Sequence, residues 1–121
     1  MHTESDVESG RTLERDEWGP YFTELTRRVR DGLELEATLG LVSDEVSGTE
    51  AERLPLDSIT YEDGDDQIAI GLGGGGSRFP VLLWHFVDRP RLLWVDDDGG
   101  SVPRAVVIAS QDGTVTRLEL H

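Results

Sequence analysis

The sequence predicts an α+β domain, with one N-terminal helix packed on a six- to seven-stranded antiparallel sheet, open or curved into a partly open barrel. Three observations carry this. Apolar residues recur at helical spacing only near the N-terminus, between Trp18 and Val29. From Leu33 onward the apolar period is two. Short Gly- and Asp-rich turns separate the later segments, and strands joined by short turns pair antiparallel.

Residues 1–12 hold little apolar side chain beyond Val7 and read as a disordered acidic tail, leaving 13–121 as a single domain. In the helix, Trp18, Phe22, Leu25 and Val29 are spaced 4, 3 and 4 and form one face. Asp16 is the expected N-cap, Glu17 suits the first turn, and Pro20 is placed where its missing N–H costs least. Arg27, Arg28 and Arg30 suit the C-terminal dipole, and Gly32 ends the helix. Leu33, Leu35, Ala37, Leu39 and Leu41 then alternate with polar residues as a half-buried strand. Residues 45–54 are a weaker strand, and 57–72 a hairpin turning at Glu62-Asp63-Gly64-Asp65-Asp66. Residues 79–87 are nearly all apolar and fit either a buried strand or a short helix begun at Pro80. Arg91 to Val95 is a strand, and residues 104–110 and 114–120 flank the hairpin signal Gln111-Asp112-Gly113.

The composition allows a modest core: Leu, Ile, Val and Phe are 33 of the 121 residues, about 27%, above the roughly 20% below which chains stay disordered. No apolar run reaches membrane-spanning length, and the polar, acidic N-terminus is unlike a signal peptide. Cysteine is absent, which excludes disulfides, thiolate metal sites and Cys catalysis. Asp plus Glu number 25 against 11 basic residues, all of them Arg, for a net charge of −14. Two readings of that charge compete: an acidic surface docking on a basic partner, or adaptation of the whole chain to molar salt. The acids are spread along the chain rather than gathered in a tail, which favours adaptation and a cytoplasmic, salt-loving protein.

Glu17-Trp18 with Tyr21-Phe22, Leu54-Pro55-Leu56, Ile59-Thr60-Tyr61, Gly71 through Pro80, His85-Phe86-Val87 and Pro90-Arg91 form a combination. Together they resemble a small microbial domain family of unknown function, over about residues 13–120. The resemblance implies homologues but no established activity, so it assigns no catalytic or binding residue and no cofactor.

Gly71-Leu72-Gly73-Gly74-Gly75-Gly76 matches G-x-G-x-x-G in form, but Ser77-Arg78-Phe79-Pro80 follows where a phosphate-binding loop needs a helix, and there is no Lys. The Gly run therefore reads as a loop tip. Trp84, His85, Arg89, Arg91 and Trp94 are the candidate binding residues, because aromatic and Arg side chains dominate contact hot spots. The competing reading puts Trp84, Phe86 and Trp94 in the core. If 83–87 is a strand, Trp84 and Phe86 share one face and His85 takes the other. His85 as a catalytic base would need Ser77, Ser101 or Asp88 beside it, with no local signature in support. His2 and His121 lie at the chain ends, so no zinc set is expected. Asp63-Asp65-Asp66 and Asp96-Asp97-Asp98 lack the spacing of a calcium loop and read as turns. Arg27, Arg28 and Arg30 could touch an anion, but −14 opposes nucleic-acid binding.

The functional expectation is a non-enzymatic interaction module that binds a protein partner or a second copy of itself through residues 78–95. The alternative is a small-molecule site in a curved sheet.

Overall fold

The helical face read from the sequence is the face that is buried. The structure is a computed structural model and describes residues 10–43, 47–74, 80–98, 100 and 102–121. The chain runs β1 (Gly10–Leu13), α1 (Arg15–Arg30), β2 (Glu36–Val42), β3 (Ser47–Glu62), β4 (Gln67–Leu72), β5 (Leu83–Asp88), β6 (Pro90–Asp96), β7 (Ala105–Ser110) and β8 (Val115–Leu120). Trp18, Phe22 and Leu25 of α1 sit in one core cluster with Leu39 of β2, Ile59 of β3, Ile70 of β4, Leu93 of β6, Ile108 of β7 and Leu118 of β8.

The helix begins two residues before the expected Asp16: Glu14 is the N-cap, and its N–H donates to Glu17 Oε1 at 2.8 Å. Pro20 accordingly lies beyond the first turn, on the exposed side, where water can reach the carbonyl it leaves without a donor. At the other end Gly32 has φ +120°. Its N–H reaches the Val29 carbonyl at 3.1 Å, and the Leu33 N–H reaches that of Arg28 at 2.9 Å. That pair of bonds is a Schellman stop, which needs a residue free to adopt positive φ.

All pairings are antiparallel, in the order β1-β6-β7-β8-β2-β3-β4-β5, with β1 and β5 as the edges. Among the described residues the sheet has eight strands rather than six to seven, and no pairing joins β1 to β5 to close a barrel. Three differences lie behind the count: a strand is added at the N-terminal end, two expected strands are one, and the segment left open is a strand. Gly10–Thr12, assigned to the tail, pair with β6 (Gly10↔Asp96, Thr12↔Trp94); residues 1–9 lie outside the described residues. The weak strand at 45–54 and the first arm of the 57–72 hairpin are one strand, β3. Its first half pairs with β2 as far as Glu36↔Pro55, and its second half pairs with β4 from Leu56↔Leu72. The change of partner falls at Pro55, which has no N–H to give a ladder, close to Arg53 at φ +53°. Residues 79–87, open between strand and helix, supply strand β5 from Leu83.

A second corner follows β5. Arg89, at φ +49°, carries the chain from β5, which pairs with β4, into β6, which pairs with β1 and β7. Chains that switch ladders at such bends let two layers share one core.

The helix also covers a strand edge. Past Pro55, β2 no longer accompanies β3, so the backbone of Ile59 faces α1. Thr26 Oγ1 donates to the Ile59 carbonyl at 2.8 Å and accepts from its N–H at 3.0 Å, all buried. One hydroxyl thus replaces a missing strand at that position. No helix among the described residues is long and apolar enough to cross a membrane.

Candidate interaction surface

Strand alternation divides β5 as its sequence requires. Leu83, His85 and Val87 turn inward, while Trp84 and Phe86 point out, 49% and 51% exposed. Their rings are near parallel (15°), with centroids 6.2 Å apart. The neighbouring strand explains why they lie flat: Trp84 is opposite Gly71 and Phe86 opposite Ala69. A Cβ on Gly71 would come within 3.0 Å of the Trp84 indole, so the ring occupies the space that a larger residue would fill. Leu82, just before the strand, is 71% exposed. Among the described residues the exposed large hydrophobics are Val42, Leu82, Trp84, Phe86 and Leu92, and three of these fall between 82 and 86.

Among the described residues no strand pairs with the outer side of β5, so the patch lies on a sheet edge. The Arg89 N–H bonds the Asp66 carbonyl at 2.8 Å, which extends the β4–β5 register of Gln67↔Asp88 by one pair. Bonded pairs alternate along an antiparallel ladder, so Val87 and His85 bond back to β4. The N–H and C=O groups of Trp84 and Phe86 are then directed away from the sheet, as on any edge strand.

The five residues singled out from the sequence do not share one face. Trp84 belongs to the exposed patch. His85 is half-buried on the opposite side of β5, and burial lowers its pKa from the ordinary value, with Glu50 opposing, so it is neutral at pH 7. Arg89 occupies the β5–β6 corner, where its charge helps hold the Asp112 carboxylate below its usual range, after the larger effect of the Thr114 N–H. Arg91 is exposed on β6. Trp94 is half-buried because β1 lies beside it: its ring occupies the place where a Cβ on Gly10 would stand. Asp88 Oδ1 accepts from Gln67 Nε2 at 2.7 Å on the outer side, away from His85. Ser77, Ser101 and the Gly75–Phe79 part of the glycine loop lie outside the described residues.

The acidic turns are held by arginines. Arg104 contacts Asp96 and Asp98, each at 3.2 Å. Asp97, whose side chain is fully buried, accepts from Arg11 and from the Tyr21 hydroxyl, each at 3.0 Å. This ties β1 and α1 to the β6–β7 turn. Arg15 was missed by the sequence reading, because a single Arg at a helix start carries no pattern. It donates to Tyr61, Asp66 and the Pro90 carbonyl, each at 2.9 Å, with its guanidinium 4.5 Å from the Trp18 ring centroid. It thereby joins the helix start, the β3–β4 turn and the β5–β6 corner. A groove of about 1000 Å³ lies between the end of α1 and the β2–β3 pair, lined in part by Val29, Arg30, Glu34, Leu56, Asp57 and His121.

Tyr21 gives a pH prediction. Burial first, then the bond to Asp97, raises the hydroxyl pKa well above its ordinary value of 10.0. The unfolded chain therefore releases this proton first, and stability falls as pH rises above about 10. In Tyr21→Phe the alkaline loss should shrink, leaving the part due to Tyr61, whose pKa is also raised. Urea midpoints at pH 8 and pH 11 would show it, and an equal loss in both proteins would contradict it.

A family model described as a family of unknown function matches residues 9–121, nearly the whole chain. No curated protein and no solved structure matches it significantly.

Proposed function

The chain belongs to the family of unknown function DUF5335, and we propose that this domain is a non-enzymatic interaction module whose contact surface is the outer face and open edge of β5. The observation that supports it is the stacked, half-exposed pair Trp84 and Phe86 on an edge strand of the sheet that the described residues form. Contiguous exposed aromatics mark contact sites, because their burial by a partner removes much apolar area from water. Trp94, Arg89 and Arg91 lie outside this centre and contribute at most at its rim.

The test is affinity capture from source cells in molar KCl, with wild type and the Trp84→Ser/Phe86→Ser double variant side by side. Both side chains are half-exposed, so the variant should stay folded, as circular dichroism would verify. The expected result is a stoichiometric partner, of this chain or another, retained by wild type and lost by the variant. Equal recovery by both proteins, or no partner with either, would overturn the reading.

A second reading, small-molecule binding, is favoured by the groove beside α1, which brings Arg30, Asp57 and His121 into one cleft with Val29, Leu35 and Leu56. Metabolite screening by thermal shift, repeated on Asp57→Ala, distinguishes it: a hit abolished by that change supports the groove.

We further propose that the charge of −14 reflects salt adaptation in a cytoplasmic protein. The melting temperature should climb steeply between dilute buffer and about 2 M KCl, well past the roughly 0.1 M at which the Debye length is already about 10 Å. A flat melting temperature over that range would remove the proposal.

A further inference from the structure

Resting on the reading of β5 as a contact surface, we infer that the occupant of its open edge is a second copy of this chain. It is added antiparallel about a two-fold axis at His85, so that the sheet continues from one copy into the other.

Three constraints select this arrangement. A two-fold axis perpendicular to the sheet keeps inner faces with inner faces, so residues directly opposite must come from the same side of β5. The edge offers the backbone groups of Trp84, Phe86 and Asp88, so the bonded pairs nearest the axis must come from these. Within those limits, centring on His85 sets Trp84 opposite Phe86 of the second copy, and Phe86 opposite its Trp84. The result is one stripe of four aromatic rings on the outer face, the kind of cross-strand pair that stabilises sheets. Centring on Phe86 would instead set Trp84 against an Asp88 carboxylate. Centring on Trp84 would put Leu82, whose N–H already bonds the Leu72 carbonyl at 2.9 Å, into both bonded pairs beside the axis, whereas centring on His85 meets it only in the outer Asp88–Leu82 pairs.

Charge points the same way. In a chain that is 30% charged, Val81 to Val87 contains no ionised side chain once His85 is neutral. Two acidic copies can meet there with no charged side chain of either between Val81 and Val87. The remaining repulsion between two copies of charge −14 is long-range and is removed by salt. Self-association should therefore strengthen as KCl rises, whereas binding of a basic peptide to the same edge should weaken.

The experiment is light scattering on the full chain at a concentration on the order of 100 μM, in 0.1 M and 2 M KCl, with oxidative cross-linking. His85→Cys introduces the chain's only cysteine. At the axis, two such residues would have Cα atoms about 4.5 Å apart, within disulfide reach of about 4.4–6.8 Å. The expected results are a dimeric mass in 2 M KCl that falls toward the monomer in 0.1 M, a monomer for Phe86→Lys at both, and rapid disulfide dimers of His85→Cys. Asp112→Cys, at an exposed turn, serves as the control and should not cross-link. A wild type that is monomeric in 2 M KCl, a dimer that survives Phe86→Lys, or a His85→Cys variant that stays uncross-linked would overturn the inference. If the wild type is monomeric yet captures a different protein that Trp84→Ser/Phe86→Ser loses, self-pairing fails while the contact surface stands.

Discussion

Thr26→Val should destabilise the fold by about 2–4 kcal/mol, while Thr26→Ser should cost less than about 1 kcal/mol. The two side chains of the first exchange are nearly the same size, so packing changes little. What is lost is a single oxygen that satisfies both the N–H and the C=O of Ile59 in the buried seam between α1 and β3. Both backbone groups are buried between α1 and β3, and an orphaned buried group costs about 1–3 kcal/mol. Serine keeps the oxygen and gives up only a methyl. Chemical denaturation of the three proteins decides the matter. Equal midpoints for the Val and Ser variants would show that the hydroxyl is not what secures this edge.

Trp18→Ala should be costlier, about 3–5 kcal/mol, a large part of the roughly 5–15 kcal/mol that holds a domain of this size. Trp18 is 2% exposed, meets Tyr61 edge-on at 5.2 Å, carries the Arg15 guanidinium over its ring, and donates Nε1–H to the Leu13 carbonyl at 3.1 Å. Its removal leaves a cavity, strips the ring from beneath the Arg15 guanidinium and takes away one of the side-chain ties of β1. Trp18→Phe should recover more than half of the loss, since the ring volume matters more than the one hydrogen bond. Native-state hydrogen exchange adds a local signature. The amides of Gly10–Leu13 should exchange faster in both variants, and unchanged exchange there would show that β1 is held by its ladder with β6 and by Arg11 without help from Trp18.

Much of the candidate surface was legible before the fold was known. Once residues 83–87 were allowed to be a strand, alternation placed Trp84 and Phe86 on one face and His85 on the other. Whether that face looked inward or outward was not legible, because a run with apolar residues on both faces fits a buried strand equally well. The decision rests on what stands opposite. Gly71 and Ala69 on β4 leave room for the two rings to lie flat on the outside, while Ile68, Ile70 and Leu72 already fill the core beneath. Trp94 was grouped with them because it is aromatic and near in sequence, but the Arg89 corner sends β6 into a different ladder.

By itself the sequence determined the α+β class, the buried face of the helix, its glycine stop, the β7–β8 hairpin and the alternation within β2 and β5. These follow from periods and turn residues acting over fewer than about ten positions. Only the tertiary structure decided that Gly10–Leu13 is a strand, that 47–62 is one strand with two successive partners, and that α1 rather than a strand covers Ile59. It alone assembled the Arg15 and Asp97 clusters. Each of these depends on a partner distant in sequence that supplies a ladder, a hydroxyl or a charge. The backbone and the isolated side chain carry no local preference that could announce it.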